Sequence, residues 1–141
     1  NEILISTLKR INSSFIVYGF NKEKVDENLT FRKFNDDIFF KDLAGCKGII
    51  ANGGFTLISE ALYLGKPVLS IPIENLYEQI LNAHQIEKLG YGLYSEKASF
   101  EALNSFISQI SKFKRNLSDY PKEDNTKLFN LLDALLIKFK K

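Results

Sequence analysis

The sequence predicts an α/β fold in which a doubly wound parallel sheet is covered by helices on both faces. Three observations carry that expectation: strand-length apolar runs alternate with helical periodicities along the whole chain, those runs are close to continuously apolar, and no internal repeat or low-complexity linker interrupts the alternation. With 141 residues and a hydrophobic fraction of 45%, residues 1–141 have the length and apolar content of a single domain built on one core.

The elements follow in order. Leu4, Leu8 and Ile11 fall at helical spacing and make Glu2 to Arg10 a helix, which feeds the short, partly β-branched run Phe15-Ile16-Val17-Tyr18 closed by Gly19. Leu29 to Lys33 alternates as a second strand, and Asn35 is placed to cap a helix from Asp36 to Ala44, with Asp36 and Asp37 in its first turn and Gly45 as its stop. Gly48-Ile49-Ile50-Ala51 is a third strand, too apolar to face water on either side. The chain then turns at Asn52-Gly53-Gly54 into a helix from Phe55 to Leu64, with Gly65 suited to the position just past its end. Pro67-Val68-Leu69-Ser70-Ile71 is again a buried strand, Leu76 to Leu89 a helix ending at Gly90, and Tyr91-Gly92-Leu93-Tyr94 a shorter strand. Ser99 caps a helix whose stripe is Leu103, Phe106, Ile107, Ile110 and Phe113. Pro121 opens a last one, with Leu128, Leu132, Leu135, Leu136 and Phe139 on one face and Lys138, Lys140 and Lys141 at its end.

Composition excludes several classes. Nineteen Lys and Arg against 17 Asp and Glu leave a net charge of +2, far from the footprint of a dedicated nucleic-acid binder, and the apolar content excludes intrinsic disorder. One cysteine, Cys46, and one histidine, His84, build neither a disulfide framework nor a Cys/His metal cluster, so no metal is expected and a reducing cytoplasm is the default location. No apolar run approaches the roughly 20 residues of a membrane span, and no signal-peptide pattern opens the chain. The sequence contains no Met and begins at Asn1 inside a helical pattern, which reads as a fragment of a longer protein.

In doubly wound sheets ligands bind beyond the carboxyl ends of the strands, which directs attention to the loops after Ala51 and Ile71. Asn52-Gly53-Gly54 joins a buried strand to a helix, and its glycines allow a tight turn that presents bare N–H groups at the positive helix end, a geometry suited to phosphate. The same glycines also serve a strand-to-helix turn for conformational reasons alone, and neither a Walker loop nor a GxGxxG fingerprint is present. Glu60 sits mid-helix among Leu57, Ile58, Ala61, Leu62 and Leu64, so its carboxylate needs a partner or a cleft; a ribose diol fits, and a solvated surface Glu is the competing reading. Glu78, Gln79 and Asn82 share one arc of roughly 100° near the start of the following helix, suited either to sugar hydroxyls or simply to water.

Taken together, these residues carry a resemblance. The stretch from Phe31 to Gly92 holds Asn52-Gly53-Gly54-Phe55-Thr56-Leu57-Ile58-Ser59-Glu60-Ala61-Leu62, Gly65-Lys66-Pro67-Val68, Ile71-Pro72, Glu78-Gln79, Asn82-Ala83 and Leu89-Gly90-Tyr91-Gly92. It resembles the donor-binding half of GT-B glycosyltransferases, most of all the group that includes UDP-glycosyltransferases and the peptidoglycan GlcNAc transferase. The resemblance implies a Rossmann-like C-terminal half of a GT-B fold, bound to a UDP-sugar that is substrate rather than cofactor. It implies that Gly53, Gly54 and the helix start at Phe55 and Thr56 hold the diphosphate, that Glu60 takes the ribose hydroxyls, that Glu78, Gln79 and Asn82 surround the donor sugar, and that Phe34 and Asn35 hold the uracil by packing and backbone contacts.

The departures are specific. Many relatives read His-Gly-Gly-x-Gly-Thr where this chain has Asn52-Gly53-Gly54-Phe55-Thr56-Leu57, so the family's Thr contact falls on Leu57 while backbone N–H binding survives. The family's catalytic base belongs to an amino-terminal acceptor domain, in the same chain or in a partner subunit, and no catalytic residue is assigned here. His84 reads as a surface or packing residue. The family's C-terminal domain also begins with a central strand, which this sequence lacks. A UDP-sugar 2-epimerase, a receiver-type signalling domain and a non-catalytic partner in a split transferase are the alternatives; the receiver is disfavoured because Asp36 and Asp37 stand at a helix start rather than at a strand end. Lys112, Lys114, Arg115 and the Lys-rich end offer basic groups either to an anionic membrane or simply to water.

Overall fold

A computed structural model describes residues 2–122 and 125–139. The order is α1 (Glu2–Lys9), β1 (Phe15–Val17), β2 (Lys24–Asp26), β3 (Leu29–Phe31), α2 (Asp36–Gly45), β4 (Ile49–Ala51), α3 (Phe55–Tyr63), β5 (Val68–Ser70), α4 (Tyr77–Lys88), β6 (Gly92–Tyr94), α5 (Phe100–Asn116), a 3-10 turn (Leu117–Asp119) and α6 (Thr126–Phe139). The α/β alternation therefore follows the sequence pattern, and the strands form two three-stranded sheets of order β1-β3-β2 and β4-β5-β6. Pairing is parallel between β1 and β3 and throughout β4-β5-β6.

The hairpin of β2 on β3 is antiparallel and was not foreseen. Lys24-Val25-Asp26 has one apolar residue, and Val25 is 73% exposed, so hydrophobic patterning carries no trace of it. Polar contacts add to the burial of Leu29 and Phe31: Asn28 donates through Nδ2 to the carbonyls of Leu8, Ile11 and Ser13, while Lys9 reaches Asp26 and Glu27.

One apolar cluster ties the two sheets together. Val17, Leu29 and Phe31 from the first and Leu69 from the second pack with Leu8 and Ile11 of α1 and with Leu103, Phe106 and Phe113 of α5. The α5 stripe thus lies where its periodicity put it, with Ile107 and Ile110 partly buried beside the cluster. A second cluster of Leu43, Ile58, Ala61, Leu62, Val68, Ile86 and Leu117 joins α2, α3 and α4 to β5.

Three expectations need correction. β5 is fully buried, but Ile49, Ile50 and Ala51 of β4 are only half-buried, because β4, like β1, has a single hydrogen-bonded neighbour and leaves one edge unpaired. Among the described residues no strand fills that position. The last helix starts at Thr126 rather than at Pro121; Pro121 and Lys122 are irregular and exposed, so no packing supports a first turn there. Its stripe does not face the core: Leu128, Leu132, Leu135 and Leu136 are exposed, the side chain of Phe139 and residues Lys140 and Lys141 lie outside the described residues, and Lys138 stands in the last turn.

Candidate functional site

The turn after β4 is built around Gly53. Its φ of +92° is one that L side chains rarely adopt, and a Cβ there would stand 2.8 Å from the Gln79 carbonyl oxygen and 2.9 Å from Ser70 Oγ. The bare backbone is therefore required both by conformation and by the close approach of β5 and α4. Gly54 differs: at φ −63° and ψ 131° it caps α3 with no side-chain hydrogen bond, and a Cβ on it would meet nothing within 4 Å. The first helical bond runs from Ile58 N–H to the Gly54 carbonyl at 3.2 Å, so the amides of Phe55, Thr56 and Leu57 have no intrahelical acceptor. No acidic residue stands in this first turn, in contrast to α2, α4 and α5. Asn52, Phe55 and Thr56 are exposed around it. The result is an uncompensated positive helix end open to solvent.

Glu60, one turn further along α3, is half-buried and forms neither a hydrogen bond through its side chain nor an ion pair among the described residues. A half-buried carboxylate without a partner among the described residues suits a hydroxyl-bearing ligand.

The arc on α4 is divided in its duties. Gln79 accepts through Oε1 from the Ile73 N–H at 3.0 Å, steadying the loop after β5, and Asn82 donates through Nδ2 to the Gly53 carbonyl at 3.0 Å. Glu78 is exposed in the first turn. Gln79 and Asn82 thus hold the two loops on which the site depends, in addition to facing them.

Phe34 follows β3 and is 65% exposed, its ring 5.3 Å from that of Phe39 and 6.5 Å from that of Tyr18. The aromatic group is held from below by polar contacts that sequence reading missed: the Tyr18 hydroxyl donates to Asp42, and Arg32 Nη1 reaches the same carboxylate at 2.7 and 2.8 Å. Desolvation, reinforced by Asp42, pushes the Tyr18 phenol above its ordinary range and keeps it a donor. Asn35 caps α2 as expected, accepting from the Ile38 N–H at 3.1 Å, so its side chain serves the helix.

Other candidates fall outside the site. His84 is exposed and packs its ring 4.4 Å from that of Tyr94. Burial raises the Cys46 thiol, which disfavours the thiolate. Among the described residues no group of His, Cys, Asp and Glu is placed to hold a metal. No helix among them is long and apolar enough to cross a membrane. A cavity of about 350 Å³ between α1 and β2 is lined in part by Lys9 and Asp26, which are paired with each other. One of about 170 Å³ between α3 and α4 touches the site through Phe55 and Asn82. The sequence pattern gives no role to Ser70, a hydroxyl in a fully buried strand with no hydrogen-bond partner among the described residues; a polar residue inside an apolar run was the signal available.

Residues 1–111 match a known family model, glycosyl transferase family 1. The chain belongs to that family. It is 25% identical to the Bacillus cereus UDP-N-acetylglucosamine--N-acetylmuramyl-(pentapeptide) pyrophosphoryl-undecaprenol N-acetylglucosamine transferase 3, over 96% of this chain and 42% of the relative. To the transferase of the corresponding name from Clostridium botulinum strain Hall it is 33% identical, over 85% of this chain and 36% of the relative. The chain therefore spans about two fifths of these relatives' length. Among solved structures, the glycosyltransferase SnogD from Streptomyces nogalater superposes with a TM-score of 0.66 at 20% identity, covering 94% of this chain and 38% of that one. Spinosyn forosaminyltransferase SpnP gives 0.68 at 15% identity over 95% and 40%. This family member thus has the α/β fold of the C-terminal half of a GT-B glycosyltransferase.

Proposed function

We propose that the chain is the donor-binding half of a glycosyltransferase, holding a UDP-sugar so that its diphosphate lies at the start of α3. The observation that carries this reading is the uncapped, acid-free α3 terminus behind Gly53 and Gly54, with the unpartnered carboxylate of Glu60 one turn away. Transfer of a sugar leaves a nucleoside diphosphate, and amides already aimed at the place where its charge develops stabilise that leaving group. Phe34 offers a ring to the base, Glu60 accepts from the ribose hydroxyls, and Glu78 with the free ends of Gln79 and Asn82 faces the donor sugar. The relatives' names make UDP-N-acetylglucosamine the first donor to test. The acceptor and its general base belong to an acceptor domain, in the same polypeptide or in a partner, since transfer needs base and leaving-group stabilisation in one geometry.

Calorimetric titration with UDP, ADP and GDP tests the reading. UDP is expected to bind best, and Glu60→Ala to weaken it by about 1–3 kcal/mol with little change in melting temperature. Equal or absent response to all three nucleotides, or unaltered UDP affinity in the variant, would remove the assignment.

A further inference from the structure

We infer that Asn82 is a positioning residue for the phosphate-binding turn, locking the Gly53–Gly54 peptide plane so that its N–H stays aimed as an anion donor. The inference rests on the proposed diphosphate site and deepens it. A trans peptide is planar, with its C=O and N–H pointing in opposite directions, so whatever holds the oxygen also aims the nitrogen. Between two glycines such a plane has few steric restraints and rotates at little cost. Here the oxygen is held. Asn82 Nδ2, from one turn and a half into α4, donates to the Gly53 carbonyl at 3.0 Å, which directs the Gly54 N–H away from α4. That N–H has no acceptor among the described residues and adjoins the open amides of α3.

The rest of the turn is built to keep this arrangement. Gly53 is buried between α4 and β5: a Cβ on it would stand 2.8 Å from the Gln79 carbonyl oxygen and 2.9 Å from Ser70 Oγ. Ser70 is fully buried, and its hydroxyl has no hydrogen-bond partner among the described residues. The Gly53 Cα is thus wedged and the Gly54 carbonyl is tied to the Ile58 N–H, while the oxygen of the peptide between them is held by the Asn82 amide. Asn82 therefore couples recognition of the sugar end of the donor, on α4, to recognition of the diphosphate, on α3. An unlocked plane would first have to be ordered by the ligand, and that cost would weaken binding.

The experiment is a ligand-observed NMR titration of the chain with uridine, UMP, UDP and UDP-N-acetylglucosamine, on the parent, Asn82→Ala and Asn82→Asp, with melting curves alongside. If Asn82 positions the turn, Asn82→Ala leaves uridine binding unchanged, lowers UDP affinity roughly tenfold, as for one weakened hydrogen bond to a charged group, and lowers UDP-sugar affinity by at least that factor. Asn82→Asp, whose carboxylate repels the Gly53 carbonyl, is then worse than alanine for UDP. The inference fails if Asn82→Ala weakens only the UDP-sugar, if Asn82→Asp restores binding as a hydroxyl acceptor would, or if uridine weakens in step with UDP, which is the mark of general unfolding. A parent chain that binds UDP no better than uridine would instead overturn the diphosphate site itself.

Discussion

Two strand-to-helix turns in this molecule solve the same problem in opposite ways. After β3 the chain enters α2 through Asn35, whose side chain takes the Ile38 N–H, and Asp36 and Asp37 answer the positive helix end. After β4 it enters α3 through Gly54, with no side-chain cap and no acid in the first turn. Against the glycine at the start of α3, a polar cap contributes roughly a few tenths of a kcal/mol and a first-turn carboxylate about 0.3–1 kcal/mol, so α3 forgoes stability that α2 takes. Nothing in the local geometry forbids a cap there, since a Cβ on Gly54 would meet open space. The difference between the two turns is the best indication of where a negative ligand belongs.

The largest effect that would break this comparison is at Gly53. Gly53→Ala must place a side chain at positive φ against a backbone carbonyl and a buried hydroxyl, and it is expected to destabilise the fold by about 2–4 kcal/mol in urea denaturation. A change below about 0.5 kcal/mol would mean that the turn is free to relax, and the rigid cradle would be lost from the argument. Next in size is Gly54→Asp, which makes α3 resemble α2. The carboxylate caps the open amides and is expected to stabilise the chain by about 0.5–1 kcal/mol while lowering UDP affinity more than about tenfold through repulsion of the diphosphate. Denaturation and calorimetry on the same sample check both signs. A variant that is more stable and still binds UDP would separate the helix end from the ligand.

The sequence made the second turn legible for a physical reason. Glycines, the cap residue Asn35, the acids of the first turn and the stripe of α5 act locally, through φ, charge or helical period, and such signals survive in a one-dimensional reading. What it hid depends on partners distant in the chain. The Asn82 amide reads as one more polar group on an arc until Gly53, 29 residues away, is placed against it. The Tyr18–Asp42–Arg32 contact beneath Phe34 has no sequence pattern at all. Lys66, which stands in the Gly65-Lys66-Pro67 motif, donates to the carbonyls of Ala44 and Cys46 and so closes the end of α2 rather than meeting a ligand. Patterning also overstates burial where a neighbour is not there to provide it. Ile49 and Ile50 read like Val68 and Leu69, yet only the latter lie in a strand paired on both edges, and α6 has a stripe as regular as that of α5 whose leucines stand exposed.

The smallest effect sharpens the comparison from the other side. Asn35→Ala removes the cap of α2 but neither the acids beside it nor the exposed ring of Phe34, which is supported by Phe39 and Tyr18 rather than by Asn35. The freed Ile38 amide is exposed and finds water, so the loss is expected near the typical 1 kcal/mol of a capping residue and not the larger penalty of a buried orphan donor. Because the base is assigned to packing and backbone at this turn, UDP affinity should change by less than about twofold once the stability difference is discounted. Thermal melts and calorimetry on Asn35→Ala read both quantities. A UDP loss as large as that of Gly54→Asp would show that the Asn35 side chain leaves its helix to meet the nucleotide, and the division between a turn finished by the protein and a turn finished by the ligand would no longer hold.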